Sequence, residues 1–173
     1  MLTYNPYVIY LSGGMTGIPK KEASSWRKRF KELFYEKLVE LKQKDPFMKY
    51  PSPFIIIDPT DTFYPSPDNS LVYEREAYNY ETYWTLKANT IVVNLNSLSS
   101  IGTAQELMLA KANPNHYPKI IGFIEKDKYD KLHPWNRISC TTIQTYEPES
   151  FDTDSFDNTL KTIVHLILEY SKK

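Results

Sequence analysis

Two carboxylates and a glycine-rich turn are the groups in this sequence whose types and positions could do chemistry. Glu106 closes the run Gly102-Thr103-Ala104-Gln105-Glu106, which follows an apolar stretch and opens a helical one. Two readings fit it. Thr103-x-x-Glu106 has the form of a capping box, which satisfies loose backbone donors at a helix start. A carboxylate held at the mouth of a parallel sheet can also act as a nucleophile, and a nearby helix N-terminus favours its ionised form. Glu81, in "REAYNYETYWTLKANT", is the second carboxylate; taken alone it reads as a solvated helix residue. The turn "SGGMTG" follows a strand-like run and precedes a helix. Its residues Gly13, Gly14 and Met15 either form a tight turn or leave backbone N–H groups free to approach an anion or a sugar. The turn matches neither G-x-G-x-x-G nor the Walker pattern, so neither a dinucleotide site nor an ATPase is expected.

Other reactive residue types offer less. Ser99 and Ser100 either contact a phosphate or cap the helix that follows. Asp58 and Asp61 begin a proline-rich stretch, where turn formation is the ordinary role of aspartate. His116, His133 and His165 are far apart and show no metal-ligand spacing. Cys140 has no C-x-x-C partner and reads as a buried strand residue. There is no G-x-S-x-G elbow. No metal and no cofactor are expected.

The elements that must position these groups alternate along the chain. Short apolar runs at 7–11, 54–58, 90–95 and 119–124, with a shorter one at 140–145, read as strands. Helices are expected at 20–43, where Trp26, Phe30, Leu33, Phe34, Leu38 and Leu41 recur at spacings of three and four, and at 71–88, 102–112 and 155–171. Loops fall at 12–19, at the proline- and aspartate-rich 58–70, and around "HPW" at 133–135. Gly122 is read as the end of a strand. Alternating strands and helices imply an α/β fold with a doubly wound parallel sheet covered on both faces. Ligands of such sheets bind beyond the carboxyl ends of the strands. The loops at 12–19, 58–70, 95–103 and 125–137 all belong to that edge.

The bulk composition narrows the function classes. With 173 residues, one domain covering 1–173 is expected. The 21 basic and 21 acidic residues cancel, which argues against a nucleic-acid polymer as partner. One cysteine excludes an internal disulfide and fits a reducing compartment. The apolar runs are too short to span a bilayer, and the first residues lack the pattern of a signal peptide. A cytoplasmic protein without membrane contact is expected.

Three segments together resemble the nucleoside 2-deoxyribosyltransferase-like family: "VIYLSGGMTG", "YETYWTLKANTIVVNL" and "SSIGTAQELMLAKA". "LHPW" at 132–135 and Cys140 are similar to a subgroup from phages and Gram-positive bacteria. The likeness spans about residues 7–140. It implies a flavodoxin-like five-stranded sheet and chemistry at the N-glycosidic bond of a small-molecule nucleoside or nucleotide. By that resemblance Glu106 is the nucleophile, Glu81 acts near the leaving base, Tyr10 orients the nucleophile and Ser100 contacts a phosphate. Gly13, Gly14, Met15, Asp58, Asn89, Gly102, Thr103 and Trp135 are the further candidate substrate contacts. A homo-oligomer, a dimer or larger, is also implied. In two-carboxylate chemistry the acid should have a raised pKa while the nucleophile stays ionised. The sequence departs from the family pattern at three points. Glu81 stands where Asp is usual, Asn89 stands in place of a second Asp, and the first loop has no arginine. These departures leave a non-catalytic nucleotide-binding sensor or regulator as the alternative, with NAD glycohydrolysis as a third.

Overall fold

The run YVIYLSG forms β1 (Tyr7–Gly13). Its alternation sends Val8 and Tyr10 into one hydrophobic layer and Ile9 and Leu11 into the other. A strand buried on both faces needs helices above and below it. The computed structural model describes residues 5–15, 17–45, 53–63, 70–114, 116–148 and 153–172. Thr16 of the glycine turn and positions 64–69 of the proline-rich loop lie outside the described residues. After β1 come α1 (Lys20–Lys44), β2 (Phe54–Ile57), α2 (Pro59–Thr62), α3 (Ser70–Lys87), β3 (Thr90–Asn94) and α4 (Ile101–Ala112). They are followed by β4 (Lys119–Glu125), a 3-10 turn (Lys126–Lys131), α5 (Pro134–Ser139), β5 (Thr142–Tyr146) and α6 (Thr153–Tyr170).

The five strands pair in parallel, in the order β2-β1-β3-β4-β5. This is a flavodoxin-like, doubly wound order, and it realises the parallel sheet covered on both faces that the alternation of elements predicts. The winding reverses between β1 and β3, so a crevice opens where their carboxyl ends feed diverging loops. On one face, Trp26, Phe30, Leu33 and Phe34 of α1 pack with Leu160, Ile163 and Ile167 of α6 over Ile9, Leu11 and Val92. On the other, Leu107 and Ala110 of α4 cover Tyr10, Ile91 and Val93, with Trp84 of α3 packed alongside. No helix among the described residues is long and apolar enough to cross a membrane.

Several local expectations are corrected. β1 runs through Ser12 and Gly13, because these residues pair with Val93 and Asn94 of β3. The segment around "HPW" is not a loop but the start of α5: Pro134 occupies the first turn, and His133 Nδ1 accepts the Trp135 N–H at 3.2 Å. The start of the proline-rich loop is likewise helical, with Asp58 capping α2. Gly122 lies inside β4 rather than at its end. It belongs there for lack of space. A Cβ would come within 2.6 Å of Leu95 Cδ1 and 3.2 Å of Cys140 Sγ. Gly122→Ala should therefore destabilise the fold by about 1–3 kcal/mol through overpacking, measured as a lower urea midpoint with an unchanged slope.

Candidate active site

Two clefts of nearly equal size flank the tip of β1. One, of about 470 Å³, lies on the α1 and α6 side and includes Gly14, Asn94, Asn96, Ser97 and Glu125 in its wall. Its Glu125 is already paired with Lys128 at 2.8 Å. The other, of about 460 Å³, lies on the α3 and α4 side. Its wall holds Gly13, Met15, Ser97, Ser99, Ser100, Gly102 and Thr103, together with Glu74, Glu81 and Glu106. Size does not choose between the clefts; the carboxylates do.

Glu106 is fixed by a strand rather than by its own helix. Tyr10 and Ser12 are two residues apart on β1, so both side chains point to the α4 face. Tyr10 Oη donates to Glu106 Oε1 at 2.5 Å, and Ser12 Oγ donates to Glu106 Oε2. Both donors are buried. The capping box read from the sequence does not form. Ser100 is the N-cap of α4: its Oγ accepts the Thr103 N–H at 3.4 Å and lies 2.9 Å from Thr103 Oγ1. The helix thus starts earlier than Thr103, and Glu106 falls in its second turn with both oxygens engaged by β1.

This placement changes the protonation of Glu106. The residue keeps part of its surface open to the cleft, yet protein crowds its carboxylate. Burial pushes its pKa up to about 7, against the downward pull of the Ser12 and Tyr10 hydroxyls and Arg27; the negative charge of Glu81 adds to the rise. Burial also raises Glu81, with Arg27 opposing. Tyr10, buried beside both carboxylates, is held well above its ordinary value and stays a donor. The expectation of an ionised nucleophile beside a raised acid is therefore corrected: both carboxyls are raised. Among the described residues, no hydrogen-bond donor engages Glu81.

The structure gathers most of the predicted residues and separates others. Gly13, Met15, Ser100, Gly102 and Thr103 line the cleft with Glu81 and Glu106; Tyr10 is buried behind Glu106 and touches the site through that carboxylate. A Cβ on Gly102 would meet nothing within 4 Å, so that backbone faces open space. Gly14 lines the neighbouring cleft. Asp58 is buried at the end of β2, where it accepts the Thr60 N–H at 3.0 Å and pairs with Lys31 at 2.8 Å. It does not line the cleft, because its oxygens are consumed by the α2 cap and by cations. Asn89 lies just before β3, at the opposite edge of the sheet. Its Oδ1 accepts the Val8 N–H at 2.7 Å and its own N–H reaches Val8 O at 2.8 Å, so it prolongs the β1–β3 pairing. Trp135 is neither buried nor in the cleft: it sits on α5, 62% exposed, edge-on to His133. Cys140 is the C-cap of α5 rather than a strand residue, and burial pushes its thiol up to about 12. The residues missed were Ser12, Arg27, Ser97 and Glu74. Ser12 had a signal, since strand periodicity places it beside Tyr10.

The raised Glu106 carboxyl links stability to pH. Between the ordinary glutamate value of 4.5 and about 7, the native state holds a proton that the unfolded chain has released. Its contribution to stability is complete below the lower value and is lost as pH rises through the upper one. Glu106→Gln abolishes this titration. The stability of the variant relative to wild type should rise between pH 4 and pH 8 by roughly 2–3 kcal/mol, read from urea denaturation of both proteins.

No family model matches the sequence, and no curated protein matches it. Among solved structures, the chain is similar to the "conserved protein from Enterococcus faecalis V583". The two share 12% identity with a TM-score of 0.47, over 97% of this chain and 98% of that one.

Proposed function

We propose that the protein is an enzyme that cleaves or transfers at the N-glycosidic bond of a nucleoside, with Glu106 as nucleophile. One observation carries the reading. A carboxylate gripped by two hydroxyls of the central sheet opens onto a cleft of about 460 Å³ that also holds a second, unengaged carboxyl, Glu81. A cap needs no such grip, and Ser100 already supplies the cap.

The steps follow from the two environments. As the bond between C1′ and the base nitrogen lengthens, positive charge develops on the sugar. Glu106 stabilises that charge and forms an ester bond to C1′, while the C–N bond breaks and the base leaves with a proton from Glu81. Water or a second base then attacks C1′, returns a proton to Glu81 and frees Glu106. Burial disfavours the Glu106 anion. A cationic sugar beside it reverses that balance, so the carboxylate interacts more strongly with the transition state than with the ground state.

The lining favours an uncharged nucleoside over its 5′-monophosphate. Glu74, Glu81 and Glu106 all face the cleft, and among the described residues no Lys or Arg lines it. Ser97, Ser99 and Ser100 offer hydroxyls suited to a sugar.

The test is incubation with deoxynucleosides, ribonucleosides, their 5′-monophosphates and NAD, with and without free bases, followed by chromatography of released and exchanged bases. Turnover is expected on nucleosides, and Glu106→Gln should lower it by about three orders of magnitude or more while the protein stays folded. The value of kcat/KM should fall about tenfold per pH unit below the Glu106 value of about 7. Absence of turnover on every member would overturn the enzymatic reading, and a thermal shift with the same compounds would then favour a binding module.

A further inference from the structure

Arg27 is fully buried, yet the proposed reaction does not use it. It projects from α1, on the face of the sheet opposite Glu106. Its guanidinium makes three hydrogen bonds to carbonyl oxygens. Nη1 donates to Ala23 O in its own helix, Nε to Leu11 O at 3.4 Å, and Nη2 to Gly13 O at 3.0 Å. Leu11 and Gly13 are the two neighbours of Ser12. Nε also lies 3.6 Å from Asp58 Oδ1, and the guanidinium stacks 4.6 Å from the centre of the Trp26 ring.

The end of β1 is shaped to admit this group. A Cβ on Gly13 would fall 3.4 Å from Arg27 Nη2 and 3.1 Å from Asn94 Cβ. The absence of a side chain at that position leaves the strand tip close to the guanidinium. The carbonyls on either side of Ser12 are thus both engaged, which fixes the stretch of backbone from which its hydroxyl reaches Glu106.

We propose that Arg27 is a positioning residue of the carboxylate site: by clamping the carbonyls on either side of Ser12, it aims the Ser12 hydroxyl at Glu106 from behind the sheet. The inference rests on the assignment of Glu106 as the reacting carboxylate. A planar fork suits the task, because it can hold two carbonyls of one strand and an aspartate at once; a lysine ammonium cannot keep all three directions. The charge of Arg27 acts in the same sense, favouring the Glu106 anion through the strand. The other titratable groups facing Glu106 are Tyr10 from β1 and Glu81 and Glu74 from α3. The loop before α4 and its first turn bring only the neutral Ser97, Ser99, Ser100 and Thr103.

The experiment follows Glu106 without any substrate. Carboxyl-labelled glutamate is observed by carbon NMR across pH, and the Glu106 signal is assigned by its loss in Glu106→Gln. Arg27→Lys keeps a cation beside Asp58 but loses the fork. Arg27→Gln keeps one donor without the charge and serves if the lysine variant does not fold. Ser12→Ala is the reference. The Glu106 midpoint should rise by about one pH unit in each single variant. In the double variants Arg27→Lys/Ser12→Ala and Arg27→Gln/Ser12→Ala, the rise should be smaller than the sum of the single effects, because one residue acts through the other. A folded Arg27 variant with the native midpoint, or full additivity with Ser12→Ala, would overturn the proposal. The nucleoside panel is a separate assay: its failure removes the reaction, while the titration still decides whether Arg27 sets Ser12.

Discussion

The site depends on the two-residue repeat of a β-strand. Tyr10 and Ser12 share a face because they are i and i+2 on β1, and that face meets α4. No other spacing on a strand would bring two hydroxyls to the two oxygens of one carboxylate. Ile9 and Leu11, the alternate residues, fill the opposite layer against α1 and α6. The strand is thus both the centre of the core and the wall of the cleft. Its position beside β3, where the winding reverses, then decides that this wall opens onto a crevice.

Much of this was legible before any coordinates. Continuous apolar strands alternating with helices lead directly to a doubly wound parallel sheet, and the carboxyl edge of that sheet selects the loops that line the cleft. Glu106 and Glu81 were singled out from their positions and, with Tyr10, by likeness to a family, and the structure brings the three together. The failures have particular causes. Asn89 entered the candidate site only through the family likeness, but a strand has two ends, and Asn89 falls at the wrong one. The cap was misplaced because Thr103-x-x-Glu106 and Ser100-x-x-Thr103 are both plausible starts; the second wins once β1 has taken the carboxylate of Glu106. Arg27 was invisible because a pattern of apolar residues marks α1 as a core helix and gives no reason for a buried cation within it.

Charge is distributed unevenly in a chain whose formal charges cancel. Three carboxylates face the cleft, while the nearest buried cation, Arg27, lies behind the strand and never reaches the cavity. Asp58 anchors that cation from β2, with Lys31 as a further partner. A buried guanidinium is tolerable only when its donors are matched, and here carbonyl oxygens and one carboxylate match them. The arrangement leaves an acidic cavity with a positive charge screened behind it. Such a cavity disfavours anions and suits a ligand on which positive charge grows.

The two carboxyls differ in freedom as well as in charge. Glu106 comes from a helix and its donors from a strand, so its position is set between two rigid elements. Glu81 comes from α3, and no hydrogen bond among the described residues ties it down. Nucleophilic attack needs one fixed trajectory, whereas proton delivery must follow a departing group. In the proposed reaction, a fixed carboxylate and a free one divide those tasks. In that reaction the longer side chain of glutamate, one methylene beyond an aspartate, would serve the free partner, Glu81.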